Sequence, residues 1–171
     1  MKWRFIALAV LAGLTAVALI WWQSAATRGD GPNPALSPQQ VVILQLEALR
    51  TNGPNDHGIA KVFRFASPSN RFATGPLERF AMMLKHGPYA MMIGCESYEL
   101  KGARISGDRA EQMVSVHGFD QRPATYVFLL SKQNAEPYQD CWMTDAVHAI
   151  PIEQVPDVTD GGAGEARPEA I

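Results

Sequence analysis

The sequence lacks the short motifs that most catalytic and metal-binding sites require. Its four histidines, His57, His86, His117 and His148, show none of the H-x-x-x-H or H-E-x-x-H spacings that bind zinc. The nucleophile elbow G-x-S-x-G, the Walker loop and the dinucleotide motif G-x-G-x-x-G are absent as well. We therefore expect no metal, no cofactor and no standard catalytic signature.

Excess charge of either sign is also scarce in the central part of the chain. Between Ser37 and Ile152, 11 Lys and Arg side chains balance 11 Asp and Glu side chains. A protein that binds nucleic acid needs surplus basic side chains to neutralise phosphates. The balance therefore predicts that nucleic acid is not a partner.

One long hydrophobic run stands at the N-terminus. Residues 5–22 carry no charge, and 18 helical residues span about 27 Å, which is close to the thickness of a bilayer core. Lys2 and Arg4 precede the run, and Trp21 and Trp22 end it, as is typical of membrane-spanning helices with a cytoplasmic N-terminus. We expect a retained single-pass anchor in the plasma (inner) membrane, with the rest of the chain in the periplasm or outside the cell.

A cleaved signal peptide is the alternative interpretation of this segment. Ser24, Ala25 and Ala26 form a small-residue cleavage site, and cleavage near Ala26 would release a secreted protein. Both interpretations export everything that follows residue 28.

The remaining chain divides by composition. Residues 23–36 are small and polar with two prolines, which predicts a flexible linker. Residues 37–152 form the expected folded domain. Residues 153–171 hold five acidic side chains and one Arg with almost nothing apolar to bury, which predicts a disordered acidic tail.

Three helices are predicted at the start of the domain. Ser37 followed by Pro38 and Gln40 is typical of a capped helix start, and Thr51 ends that helix. Asp56 is positioned to cap a second helix that ends at Pro68. A third helix begins near Thr74-Gly75-Pro76 and ends at Gly87, and Gly75 is a candidate for positive φ.

After Pro88 the spacing of apolar residues changes from helical to strand-like. This part begins with a short apolar run at Tyr89–Ile93, and a bulge is expected at Gly102. Four strands are predicted, at residues 98–105, 110–119, 125–131 and 141–150. Helices followed by an antiparallel meander predict an α+β fold. We expect three helices packed across a curved antiparallel sheet that encloses a cone-shaped pocket.

Three blocks of sequence resemble a known family. They are VVILQLEAL, the stretch VFRFASPSNRFATGPLERFAMML at Val62–Leu84, and CWMTD at Cys141–Asp145. Across residues 37–152 the chain resembles a domain-of-unknown-function family of bacteria and plants. That family is similar to the cystatin-like, or nuclear-transport-factor-like, cone folds. The resemblance implies a cone and no particular activity.

Candidate ligand-binding residues occur in two places. Asn70 and Arg71 follow Ser67 in a polar segment between two predicted helices, where they would form a pocket rim. The alternative is a capped helix junction in which Ser67 and Asn70 satisfy free helix-end groups. Trp142 and Thr144 share one face of the last predicted strand and are the other ligand-binding candidates.

Asp145 is the candidate catalytic residue. It alternates with Trp142 and Thr144, so we expect only one of the two sets to face the pocket. An acid among apolar neighbours is suited to general-base chemistry. The alternative is a paired or solvated surface acid.

Cys95 and Cys141 are the only cysteines. An exported protein permits a disulfide between them, and two buried free thiols are the other interpretation. The spacing alone does not distinguish the two.

These features favour a non-catalytic module that binds a small apolar ligand or an envelope protein. The first alternative is an isomerase, dehydratase or hydrolase that uses Asp145 as base. The second is an assembly role in which the sheet forms a homodimer.

Overall fold

The structure is a computed structural model that describes residues 31–119 and 123–151. Four helices come first, and a 3-10 turn at Ala90–Met92 follows them. The helices are α1 Pro38–Arg50, α2 His57–Phe65, α3 Pro68–Thr74 and α4 Leu77–His86.

Four strands complete the domain as an antiparallel meander. They pair in the order β1-β2-β3-β4, so β1 and β4 form the two edges. The predicted α+β class and all four strands are confirmed. The strands are β1 Ser97–Ser106, β2 Arg109–His117, β3 Pro123–Lys132 and β4 Trp142–Ile150.

Helix α1 begins as its sequence predicts. The Ser37 hydroxyl oxygen accepts a hydrogen bond from the Gln40 backbone N–H at 3.2 Å. The Gln40 side-chain oxygen in turn accepts from the Ser37 N–H at 2.8 Å. This reciprocal capping box satisfies two N–H groups that have no partner within the helix.

The prediction that Asp56 caps the second helix is wrong in its chemistry. Asp56 holds the N-cap position of α2 with a left-handed φ of 57°, but its side chain makes no capping bond. Its carboxylate instead accepts from Lys85 Nζ at 2.6 Å. Asn52 replaces it, because Asn52 Oδ1 accepts the Ile59 backbone N–H at 3.2 Å.

Helix α3 was not predicted. The segment was expected to be a junction, yet Pro68 occupies the first turn of a new helix and Ser67 caps it, with Oγ accepting from the Asn70 N–H at 3.3 Å. The helix has only seven residues and none of them is buried. Its sequence therefore has no apolar stripe from which a helix could be predicted.

The apolar run at Tyr89–Ile93 forms the 3-10 turn and does not form a strand. The turn is docked on α1, because the Gly94 N–H donates to the Leu49 carbonyl oxygen at 3.1 Å. Met92 of the turn is buried in the core. The segment is therefore held against α1, with Met92 packed in the core.

Two bulges interrupt the sheet. In β1, Leu100 pairs with Val114 and Ala103 with Gln112, which confirms the bulge predicted at Gly102. In β4, the partners of Leu129 and Leu130 are Ala146 and Thr144, so Asp145 is an extra residue. A bulge bends its strand and changes which side chains share a face.

The core lies between one face of the sheet and helices α1, α2 and α4. Its largest members are fully buried aromatic and aliphatic side chains. Burial of apolar surface supplies the main driving force for this arrangement. The principal core residues are Val41, Val42, Leu46, Leu49, Ile59, Phe65, Val114, Val116, Tyr126 and Phe128.

Cys95 and Cys141 are free and buried, so the disulfide interpretation is wrong for this chain. Cys95 precedes edge strand β1 at the end of the sheet where His117 pairs with Pro123. Cys141 precedes the opposite edge strand β4 at the other end of β3. Three strand spacings alone amount to about 14 Å, well beyond the roughly 7 Å limit for joined Cα atoms.

The predicted anchor at 1–22, most of the linker at 23–36 and the acidic tail at 153–171 lie outside the described residues. Within residues 31–119 and 123–151, no helix has the length and apolarity needed to cross a bilayer.

Candidate functional site

A cavity of about 310 Å³ lies where the helices meet edge strand β4. Its walls consist mainly of apolar side chains from α1, α2, α4, the 3-10 turn and β3. All of these wall residues are buried, so they also belong to the core. They are Leu49, Val62, Phe80, Leu84, Met92 and Phe128.

The mouth of the cavity faces solvent. Ala73 at the C-terminal end of α3 and His148 on β4 are exposed. Asn70, Met83 and Tyr89 are half-buried around the same opening. The burial gradient from wall to mouth shows a pocket with an entrance.

One side of the cavity is the edge of β4. Five consecutive residues, 144–148, line it. Successive side chains of a strand point to opposite faces, so a continuous run of lining residues places the cavity along the strand's edge. The Val147 carbonyl oxygen points to this side, where it accepts from Tyr89 Oη at 3.0 Å.

Thr144 connects β4 to two helices. Its carbonyl oxygen accepts from the Ser67 N–H at 2.9 Å and from Asn70 Nδ2 at 3.0 Å. Its hydroxyl oxygen accepts from Gln45 Nε2 at 2.8 Å. These bonds hold α1 and α3 against the strand and leave the space between them open.

Gln45 supplies the polar part of the cavity floor. It is 1% exposed, and it lies on the buried stripe of α1 between Val41 and Leu49. Its Nε2 also donates to the Val41 carbonyl oxygen at 3.2 Å, while no donor among the described residues bonds to its Oε1. Gln45 was not among the predicted site residues, although a polar side chain within an apolar helical stripe is a signal that the sequence shows.

The family model of a domain of unknown function, DUF4864, matches residues 35–155. The chain belongs to this family. No curated protein and no solved structure is similar enough to the chain to match it. The match agrees with the unknown-function family expected for residues 37–152, and the family description carries no activity.

Within this family domain, two of the predicted ligand-binding residues lie at the cavity. Asn70 and Thr144 both line it and are bonded to each other. Arg71 and Trp142 do not line it. The Arg71 guanidinium lies over the Tyr138 ring, 5.0 Å from its centroid, and Trp142 packs against the core.

Asp145 also lines the cavity, together with His148. We expected only one of the two sets to face the pocket, yet Thr144 and Asp145 both border it, because the cavity lies along the edge of β4, which residues of either face can line. Asp145 and His148 are the acid and the imidazole of the lining, and Tyr89 is its phenol.

A hydrogen-bonded cluster of side chains with shifted pKa values lies elsewhere, between α1 and β1. The Glu47 carboxylate accepts from Arg50 Nη2 at 2.8 Å and from Tyr98 Oη at 2.7 Å. The bond from Arg50, followed by that from Tyr98, lowers the pKa of Glu47. Burial, followed by the bond to Glu47, raises the pKa of Tyr98 to about 12.

The outer side of α1 and α2 carries a second depression of about 300 Å³. Glu47, Thr51 and His57 among its lining residues are exposed or half-buried. In the part of the chain that the structure describes, no three His, Cys, Asp or Glu side chains are grouped as a metal site.

Proposed function

We propose that the domain is a non-catalytic module that binds a small, mainly apolar molecule in the cavity beside β4. The observation that carries the proposal is a cavity of about 310 Å³ with buried apolar walls and an exposed mouth. Ligand pockets commonly hold roughly 300–1,000 Å³ and combine apolar walls with a few placed polar groups.

Packing alone gives little reason for such a space. Protein interiors are close-packed, and their voids are rarely larger than a water molecule. Wall residues such as Val62 and Phe80 border this space, and atoms beside a void lose the dispersion contacts that a neighbouring group would supply. An apolar ligand would restore those contacts.

The test is thermal unfolding of the full chain with 1-octanol or toluene as probe. A ligand that binds only the folded state raises Tm, by about 4 °C at ten times Kd for a domain of this size. Val62→Phe places a ring in the cavity and should abolish the shift. Met113→Phe changes an exposed residue of the sheet and is the matched control.

Two results would contradict the proposal. One is the absence of any shift with wild-type protein. The other is an equal shift in Val62→Phe and Met113→Phe, because the probe would then act outside the cavity.

A cone fold and an exported location belong to the same proposal. Two bulges that bend a four-stranded meander, with helices across one face, support the cone. The uncharged run at residues 5–22 and its flanking basic and Trp residues support a membrane tether, with cleavage near Ala26 as the alternative. The size of the mature protein in the membrane fraction distinguishes the two.

An enzyme is the second candidate, because Asp145 and His148 both line the cavity. Both lie toward the mouth, where Asp145 is half-buried and His148 is exposed, whereas the enclosed floor carries an amide and a hydroxyl. Under the binding proposal Asp145→Asn leaves the octanol-induced shift unchanged. Turnover of a small substrate that Asp145→Asn abolishes without loss of binding would favour the enzyme.

A further inference from the structure

Two polar groups on the cavity floor carry information about the ligand. Gln45 and Thr144 are 1% and 2% exposed, and both line the cavity. Both Nε2 protons of Gln45 are used, one toward the Val41 carbonyl and one toward Thr144 Oγ1. Among the described residues, nothing donates to Gln45 Oε1.

The bond between the two groups determines what each has left to offer. Thr144 Oγ1 accepts from Gln45, so its rotatable hydroxyl proton is free to donate. The amide oxygen of Gln45 is a free acceptor. The floor therefore presents one donor and one acceptor side by side at the end of an apolar pocket.

The lining also disfavours a charged end group at this depth. No Lys or Arg lines the cavity among the described residues, and its acid, Asp145, lies toward the mouth. A buried carboxylate would have no cation beside it and would face the lone pairs of Gln45 Oε1. Burial of an unpaired charge is strongly unfavourable.

Gln112 shows why a buried glutamine alone is insufficient. It is 2% exposed, and its Nε2 donates to the carbonyl oxygens of Lys101 and Met113, which border the β1 bulge. Its Oε1 is enclosed by protein without a partner, and Gln112 lines neither cavity. Gln45 differs because it borders open space.

We propose that the ligand is a neutral amphiphile whose end group both donates and accepts a hydrogen bond: an aliphatic alcohol or a primary carboxamide. The inference rests on the proposed function of the cavity. The end group donates to Gln45 Oε1 and accepts from the Thr144 hydroxyl, while the alkyl part lies against Leu49, Val62 and Phe128.

The test compares four probes of similar size on the full chain in lipid nanodiscs, with empty nanodiscs correcting for partition into lipid. 1-Octanol and octanamide donate and accept. Heptyl methyl ether, an isomer of octanol, only accepts, and octanoate accepts and is charged. Binding is followed through the methyl signals of Met83 and Met92, which line the cavity.

We expect octanol and octanamide to bind about tenfold or more tightly than the ether, because the ether leaves Gln45 Oε1 unpaired. Octanoate should bind more weakly still. If the ether matches octanol, the end-group inference is overturned and the binding proposal stands. If no probe binds, both fall together.

Variants assign the preference to the floor. Gln45→Met keeps the length of the side chain but removes the amide oxygen. The affinity for octanol divided by the affinity for the ether should then fall to about one. Thr144→Ser keeps the hydroxyl and should retain the ratio, as should the control Gln112→Met. A ratio that survives in Gln45→Met contradicts the inference, and Gln45→Leu, which also lacks the amide oxygen, repeats the test should Gln45→Met fail to fold.

Discussion

Helix α1 is packed in opposite ways on its two sides. Toward α2 the backbones are so close that a Cβ at Gly58 would overlap the Ala48 carbonyl oxygen. Toward β4 the same helix contributes Gln45 and Leu49 to the border of a cavity of about 310 Å³. The first side is a rigid support, and the second keeps two elements apart. We conclude that the cavity is a specific feature of the side that faces β4. It does not result from loose packing throughout the domain.

The largest effect is expected on the closed side, for Gly58→Ala. The added methyl group has no room beside Ala48, where the carbonyl carbon lies 2.9 Å away and only backbone is available to move. We expect a loss of about 3 kcal/mol in the free energy of unfolding, measured by urea denaturation.

Gly53→Ala is the matched control, because a Cβ there meets nothing within 4 Å. It should change stability by less than about 1 kcal/mol. Equal effects at Gly53 and Gly58 would remove the evidence for close packing between α1 and α2.

On the open side, Thr144→Val should be the most destabilising of the conservative changes. It removes the acceptor for Gln45 Nε2 and leaves a buried donor unpaired. We expect a loss of about 2 kcal/mol. Thr125→Val on β3 makes the same chemical change at a half-buried position and should be nearly neutral. A neutral Thr144→Val would mean that α1 is not held through this bond.

One added methylene distinguishes filled from open space. Val114→Ile enlarges a fully buried core residue and should lower stability by about 1–2 kcal/mol. Val62→Ile extends into the cavity and should be neutral or slightly stabilising. Thermal unfolding of the two variants tests the contrast, which disappears if both lose the same stability.

The smallest effect concerns pH and a third contact of α1, where Tyr98 of β1 bonds to Glu47. The pKa of Tyr98 is raised from 10.0 to about 12, so the folded protein keeps a proton that the unfolded chain loses. Stability from this group is complete below pH 10 and is lost as pH rises toward 12. Tyr98→Phe should flatten the decline, and an unchanged slope would show that other groups cause it.

Local signals in the sequence predicted several helix and strand features of the fold well. The capping box at Ser37, the bulge at Gly102 and the positive φ of 84° at Gly75 are each set by a few neighbouring residues. Such features are readable because the physics that produces them is local.

The candidate site was harder to predict because it depends on distant partners. Gln45 and Thr144 are 99 positions apart. Nothing in either residue type indicates that the two side chains form a hydrogen bond. The bulge at Asp145 is set by the pairing of β3 with β4. Helix α3 is too short for a periodic signal, yet it carries Asn70 to the mouth.

The most direct test is the location of a bound apolar probe, read from methionine methyl signals of the full chain titrated with 1-octanol. We predict shifts confined to Met83 and Met92, which line the cavity, with Met113 and Met143 unchanged. Shifts centred on Met113, on the outer face of the sheet, or an absence of shifts at Met83 and Met92 would contradict it.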